Sequence, residues 1–137
     1  MNNKNQEIYL INALRTPIGK LFGALSDYRP DDLAAQLIQK LLRDLPPNNL
    51  KPDALIIGCA NQAGEDNRNI ARMAALLAGL PYDVPAISLN SLCTSGLDAI
   101  IDAARRIRLG EGQFYIAGAV ESMSRSPFVT ERNKQQT

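Results

Sequence analysis

The chain has 137 residues, with 15 Lys+Arg against 14 Asp+Glu for a net charge of +1, two cysteines and no histidine. That length suits one domain, which buries roughly 68–70% of the surface its unfolded chain exposes. The balanced charge recruits neither nucleic acid nor an anionic membrane surface, and two cysteines do not make a disulfide scaffold.

Residues 1–6 read as a polar N-terminal extension without the apolar stretch of a signal peptide, and no run approaches the roughly 18 apolar residues of a membrane span. The expected compartment is the cytoplasm. Glu7 to Leu14 alternates and carries Ile8, Leu10 and Ile11, which is a strand signal, and Arg15-Thr16-Pro17 ends it. The loop from Thr16 to Tyr28 has Gly19 and Gly23 around Lys20, but G-x-x-x-x-G-K-[ST] is not present, so a phosphate-cradling loop is rejected. A tight connection packed by Ile18, Leu21 and Phe22 is expected instead.

Pro30-Asp31-Asp32 opens a helix with Pro in the first turn and acids at its positive end, and Leu33, Leu37, Ile38, Leu41, Leu42 and Leu45 follow at helical spacing up to Pro46-Pro47. Ala54 to Ala60 is a continuous apolar run, as expected of a parallel strand covered on both faces. Cys59 at its end reads as a structural thiol, with a redox or second catalytic role as the alternative. The polar stretch Glu65 to Asn69 follows the second strand at the end where open α/β sheets place ligands, and is either a solvated turn with a capping Asn or a dimer or active-site wall. A second helix runs from Asn69 to a left-handed cap at Gly79, and Pro81 prevents its continuation.

Ala86 to Leu89 then reads as a buried strand running into a sharp turn at Cys93 and a helix from Ser95 to Leu109. Ser95 and Asp98 have capping-box spacing, and Gly96 permits close backbone approach. A thiol beside a helix N-terminus is favoured as thiolate, which is nucleophile chemistry; a small buried apolar thiol is the other reading. In the helix Leu97, Ile100, Ile101, Ala104 and Ile107 form one stripe, widened by Ala99 and Ala103. Gly110 caps it, Phe114 to Val120 is a fourth strand, and residues 130–137 are a loose polar tail.

The order βαβαβαβ implies an α/β fold with a mainly parallel sheet and helices on both faces. A nucleophile-elbow hydrolase would need a histidine, and dinucleotide binding would need G-x-G-x-x-G after the first strand. Neither condition is met, and no metal-ligand cluster stands out.

Asn90 to Leu97, with Gly118-Ala119-Val120-Glu121-Ser122-Met123-Ser124, resembles the nucleophile segment and the downstream G-x-E-x-M-S signature of the thiolases. Arg15 to Lys20 with Gly23 resembles the family's first loop, and Gly58 to Arg72 its second strand and the start of the following helix. Together these cover Ile8 to about Val129, so residues 7–129 resemble a thiolase N-terminal half-domain. The second segment is similar to the branch that cleaves 3-oxoadipyl-CoA.

The resemblance implies a sheet order of 3-2-1-4 and Cys93 as the nucleophile of an acyl-CoA C-acyltransferase that uses coenzyme A thioesters as substrates, with no bound cofactor or metal. It also implies a homo-oligomer, a dimer through the edge of the strand leading to the nucleophile, with Asn90, Ser91, Leu92 and Met123 at the interface. The activating histidine and second cysteine of thiolases belong to a C-terminal half that these 137 residues do not include. The chain alone is therefore expected to be inactive, and the alternative is a non-catalytic oligomerising domain or a truncated gene remnant. Ala119 stands where the family often has a second Gly, and Thr94 where a smaller residue is common.

Overall fold

Three apolar runs become strands because each can hydrogen-bond to a parallel neighbour while helices cover its faces. The computed structural model describes residues 7–45, 51–61, 64, 65 and 67–131. Its elements are α1 (Pro30–Arg43), β1 (Ala54–Gly58), α2 (Ile70–Leu77), β2 (Ala86–Leu89), a 3-10 turn (Leu92–Thr94), α3 (Ser95–Leu109), β3 (Tyr115–Ala119) and a second 3-10 turn (Met123–Arg125). The sheet has the order β2-β1-β3. Ile56 pairs with Ile87 on one side and Ala117 on the other, both in parallel ladders.

Alternation along β1 splits the core in two. Leu55, Ile57 and Cys59 join Ala34 and Ile38 of α1 and Ile70, Ala71, Ala74 and Ala75 of α2 on one face. Ile56 meets Ala99 and Ala103 of α3 on the other. Helices thus lie on both faces, and every residue of β1 is buried, as its unbroken apolar run requires. Gly79 and Gly110 adopt positive φ at the ends of α2 and α3, where a left-handed residue closes a helix.

Two carboxylates fasten the frame. Asp53 accepts the backbone N–H groups of Gln113 (2.7 Å) and Phe114 (2.9 Å), which ties the start of β3 to the start of β1 and holds its carboxyl below the usual carboxylate range. Asp31 is wholly buried. Burial pushes its carboxyl up, but the Arg29 guanidinium at 2.5 and 2.9 Å more than reverses this, and the net direction is down.

Four expectations are corrected here. Glu7 to Leu14 forms no strand: Tyr9, Leu10 and Ile11 are exposed. Both edges of β1 are already taken by β2 and β3, so the expected order 3-2-1-4 loses its first strand and the remaining three stand as third, second, fourth. Ile18, Leu21 and Phe22 do not pack the following loop but are exposed, and that loop is held by backbone bonds instead, Gly23 to Lys20 and Ser26 to Gly23, each 2.9 Å. On α3 the sheet is met by the small residues Ala99 and Ala103, because the helix sits too close to β1 for large ones; Leu97 and Ile100 face outward. A similar choice holds on α1, where Ala34, Ala35 and Ile38 are buried while its leucines are half-buried. Residues 1–6, 46–50 and 132–137, including the expected N-terminal extension, Pro46-Pro47 and most of the tail, lie outside the described residues. Among the described residues no helix is long and apolar enough to cross a membrane, and no group of three or more potential ligands could hold a metal ion.

Candidate active site

The carboxyl ends of all three strands meet at one end of the sheet, where chain direction reverses between the β1–β2 and β2–β3 crossovers, the position at which open α/β sheets place ligands. Cys59 N–H donates to the Leu89 carbonyl (2.9 Å) and Val120 N–H to the Gly58 carbonyl (3.1 Å), extending both ladders past the strands. Glu121 reaches across from the end of β3. Its carboxylate accepts the backbone N–H of Ala60 (2.8 Å) and Asn61 (3.2 Å) and lies 3.8 Å from the Cys59 sulfur. Asn90 braces the third side, with its amide donating to the Ala60 carbonyl (3.1 Å) and its oxygen accepting Leu92 N–H (3.0 Å).

Cys93 is exposed within the 3-10 turn directly ahead of α3. Leu92, immediately before it, has φ +58°, a left-handed conformation that costs a residue with a side chain about 1–3 kcal/mol and persists only where surroundings enforce it. The enforcement is visible. Ser95 Oγ donates to the Leu92 carbonyl (2.6 Å) and accepts Ser91 N–H (2.9 Å). Thr94 Oγ1 donates to the Ser91 carbonyl (2.9 Å), and the Asp98 carboxylate accepts the Ser91 hydroxyl.

Two glycines allow α3 to start this close to the sheet. A Cβ on Gly58 would lie 2.4–2.5 Å from the Ser95 backbone, and one on Gly96 would lie 2.8 Å from the Ala119 Cβ. Ala119, the departure from the family pattern, therefore fits because its neighbour is Gly96. The arrangement places an accessible thiol in the turn that leads directly into the positive end of a fifteen-residue helix.

The residues expected at the interface share this end of the molecule: Leu92 and Met123 are exposed, as are Asn90 and Ser91, whose side chains also hydrogen-bond to Ala60 and Asp98. Asn61 Nδ2 contacts Met123 Sδ at 3.7 Å. The Ser95–Asp98 capping box does not form. Thr94 is the N-cap, and Ser95 has turned its hydroxyl back into the loop, leaving Asp98 to accept the Ser91 hydroxyl. In the stretch Glu65 to Asn69, Asn69 caps α2 by accepting Arg72 N–H (3.1 Å), and Glu65 accepts from Nε and Nη2 of Arg125 (2.6 and 2.7 Å). Arg125 holds the Glu65 carboxyl below the usual carboxylate range. Phe22, Ser26, Asp27, Glu65, Ser124 and Arg125 line a cavity of about 340 Å³ that Cys93 does not reach. Sequence reasoning missed Glu121 as a brace between strands; its place directly after a strand, with no helix to cap, was the available signal.

Against this geometry, residues 8–137 match the family model described as thiolase, N-terminal domain. The chain is 53% identical over 126 residues to the β-ketoadipyl-CoA thiolase of Pseudomonas knackmussii and 56% identical over 125 residues to the 3-oxoadipyl-CoA/3-oxo-5,6-dehydrosuberyl-CoA thiolase of Escherichia coli K12. These matches cover 91% and 90% of this chain but 31% of each relative, so the chain spans about a third of their length. The crystal structure of the Bacillus anthracis acetyl-CoA acetyltransferase superposes with a TM-score of 0.78 at 35% identity, covering 89% of this chain and 31% of that one.

Proposed function

Because the chain belongs to the thiolase family, as its N-terminal domain, we propose that it carries the nucleophile of an acyl-CoA C-acyltransferase at Cys93 and acts on a 3-oxoacyl-CoA of the 3-oxoadipyl type. One observation carries the reading: the exposed Cys93 thiol on an enforced left-handed turn at the mouth of α3. The Cys93 sulfur attacks the keto carbon, the bond between that carbon and the next one toward the thioester breaks, and the departing acetyl-CoA enolate takes up a proton. The acyl group remains as a thioester on Cys93 until the thiol of a second coenzyme A displaces it, restoring Cys93 and releasing a shortened acyl-CoA. Backbone N–H groups at the start of α3 bear the developing charge.

Both proton transfers need an acid and a base, and this chain has no histidine to serve. The resemblance assigns them to groups outside these 137 residues, so the chain alone is a nucleophile-bearing half without turnover. The names of the relatives at 53–56% identity support the acyl class. Coenzyme A chemistry and a nearly neutral composition favour the cytoplasm, with no bound cofactor. The edge of β2 left unpaired among the described residues, followed by exposed Leu92, favours self-association through that edge.

Iodoacetamide at pH 7, followed by peptide-level mass spectrometry, tests the nucleophile. Cys93 is expected to react about 10²-fold faster than Cys59, and the isolated chain to show no thiolysis of 3-oxoadipyl-CoA. Equal labelling overturns the nucleophile assignment. Thiolysis that disappears in Cys93→Ser overturns the inactive-half reading, and a monomer by sedimentation at micromolar concentration overturns self-association.

A further inference from the structure

We propose that Asp98 is a positioning residue for Cys93, acting as a clasp that ties the cysteine turn, at Ser91, to the body of α3. The inference rests on the reading of Cys93 as nucleophile. Its basis is the placement of one hydroxyl. Ser91 lies two residues before the thiol and directly before left-handed Leu92, and a carboxylate oxygen of Asp98 accepts its hydroxyl. Asp98 is one helical turn beyond Thr94, on a helix anchored by Ala99 and Ala103 against the sheet and closed by Gly110.

The other bonds of the turn reach its own neighbours, the end of β1 or the first residue of α3: Asn90 to Leu92 and to the Ala60 carbonyl, Thr94 to the Ser91 carbonyl, and Ser95 to Leu92 and Ser91. Asp98 reaches the turn from further into the helix, at a position where a carboxylate is also favoured by the first turn of the helix. A left-handed Leu92 persists only if its surroundings hold it, and releasing Asp98 leaves the Ser91 hydroxyl beside it without its acceptor. The Cys93 sulfur would then move relative to the backbone N–H groups at the start of α3. Preorganised groups lose effectiveness steeply with displacements near 1 Å.

The test compares the 137-residue chain with Asp98→Ala, Asp98→Asn and Ser91→Ala, reading the rate of Cys93 alkylation by iodoacetamide at pH 7 beside the thermal midpoint of each variant. Asp98→Ala is expected to slow Cys93 by about tenfold, while Asp98→Asn, which keeps an acceptor oxygen but no charge, stays within about twofold of the native rate. Ser91→Ala is expected to slow it by about threefold and carries the test if Asp98→Ala does not fold. Native or faster labelling in Asp98→Ala, or equal slowing in the Asn and Ala variants, overturns the clasp. Native labelling in Ser91→Ala does the same. A native chain in which Cys93 labels no faster than Cys59 overturns instead the nucleophile reading beneath it.

Discussion

β1 and β2 lie side by side in one sheet and each is followed by a cysteine, yet Cys59 is 3% exposed while Cys93 is open to solvent. The central strand simply continues: Cys59 keeps the alternation of Leu55 and Ile57, so its sulfur falls into the core beneath α2 and its backbone extends the ladder to Leu89. The edge strand is interrupted. After Leu89 the chain turns through Asn90 and left-handed Leu92, and the thiol is lifted out at the start of α3. A cysteine's accessibility is thus decided by the backbone conformation just before it and by whether its strand is enclosed, more than by the neighbours it has in sequence.

The strongest way to break this contrast is to push the two strand ends apart. Gly58→Ala sets a methyl against the Ser95 backbone, and a loss of about 3 kcal/mol or more of stability is expected by urea denaturation, because neither backbone can yield cheaply. Gly96→Ala should cost about 2 kcal/mol through its clash with Ala119, and the double variant with Ala119→Gly should recover most of that loss; a strictly additive result would refute the contact. Removing the cross-brace acts on the buried thiol alone. Glu121→Ala leaves the Ala60 and Asn61 N–H groups without their acceptor, should cost about 1–2 kcal/mol, and should speed alkylation of Cys59 roughly tenfold while Cys93 changes little.

Acid is the mildest lever. Glu65 is held low by Arg125, and Asp53 by the N–H groups of Phe114 and Gln113. Each group binds its proton more readily unfolded than folded, so the stability it contributes is present above the ordinary carboxylate range and is lost as pH falls through its lowered folded value. Urea midpoints should therefore decline below about pH 4, and Glu65→Gln should remove part of that decline, worth less than about 1 kcal/mol for so accessible a pair.

Much of this frame was legible in the residues. The helix from Ser95 to Leu109 begins and ends where its spacing and Gly110 require, and the apolar run at Ala54 became the enclosed central strand. Glu7 to Leu14 was not legible, since alternation reports a willingness to be a strand and not whether an edge is free to receive it. The face of α3 was also hidden. Periodicity marks the large aliphatic stripe, whereas the distance to β1 admits only alanines, so the conspicuous residues are the outward ones. In the site, Cys93 and its turn were evident from Asn90 to Gly96, but the capping pair was misassigned because a hydroxyl has several acceptors within reach and sequence spacing does not choose among them.

The parallel ladders carry a further consequence for how the molecule is made. Neither strand pair is joined by a hairpin, and Ala54–Gly58 bonds on one flank to residues that follow it by about 60 positions. On the ribosome, at roughly 5–20 residues per second, this hydrophobic centre waits several seconds with that flank bare. Its covering must come first from the Pro30–Arg43 and Ile70–Leu77 helices, which makes their early docking the step that guards the nascent chain against association with its neighbours.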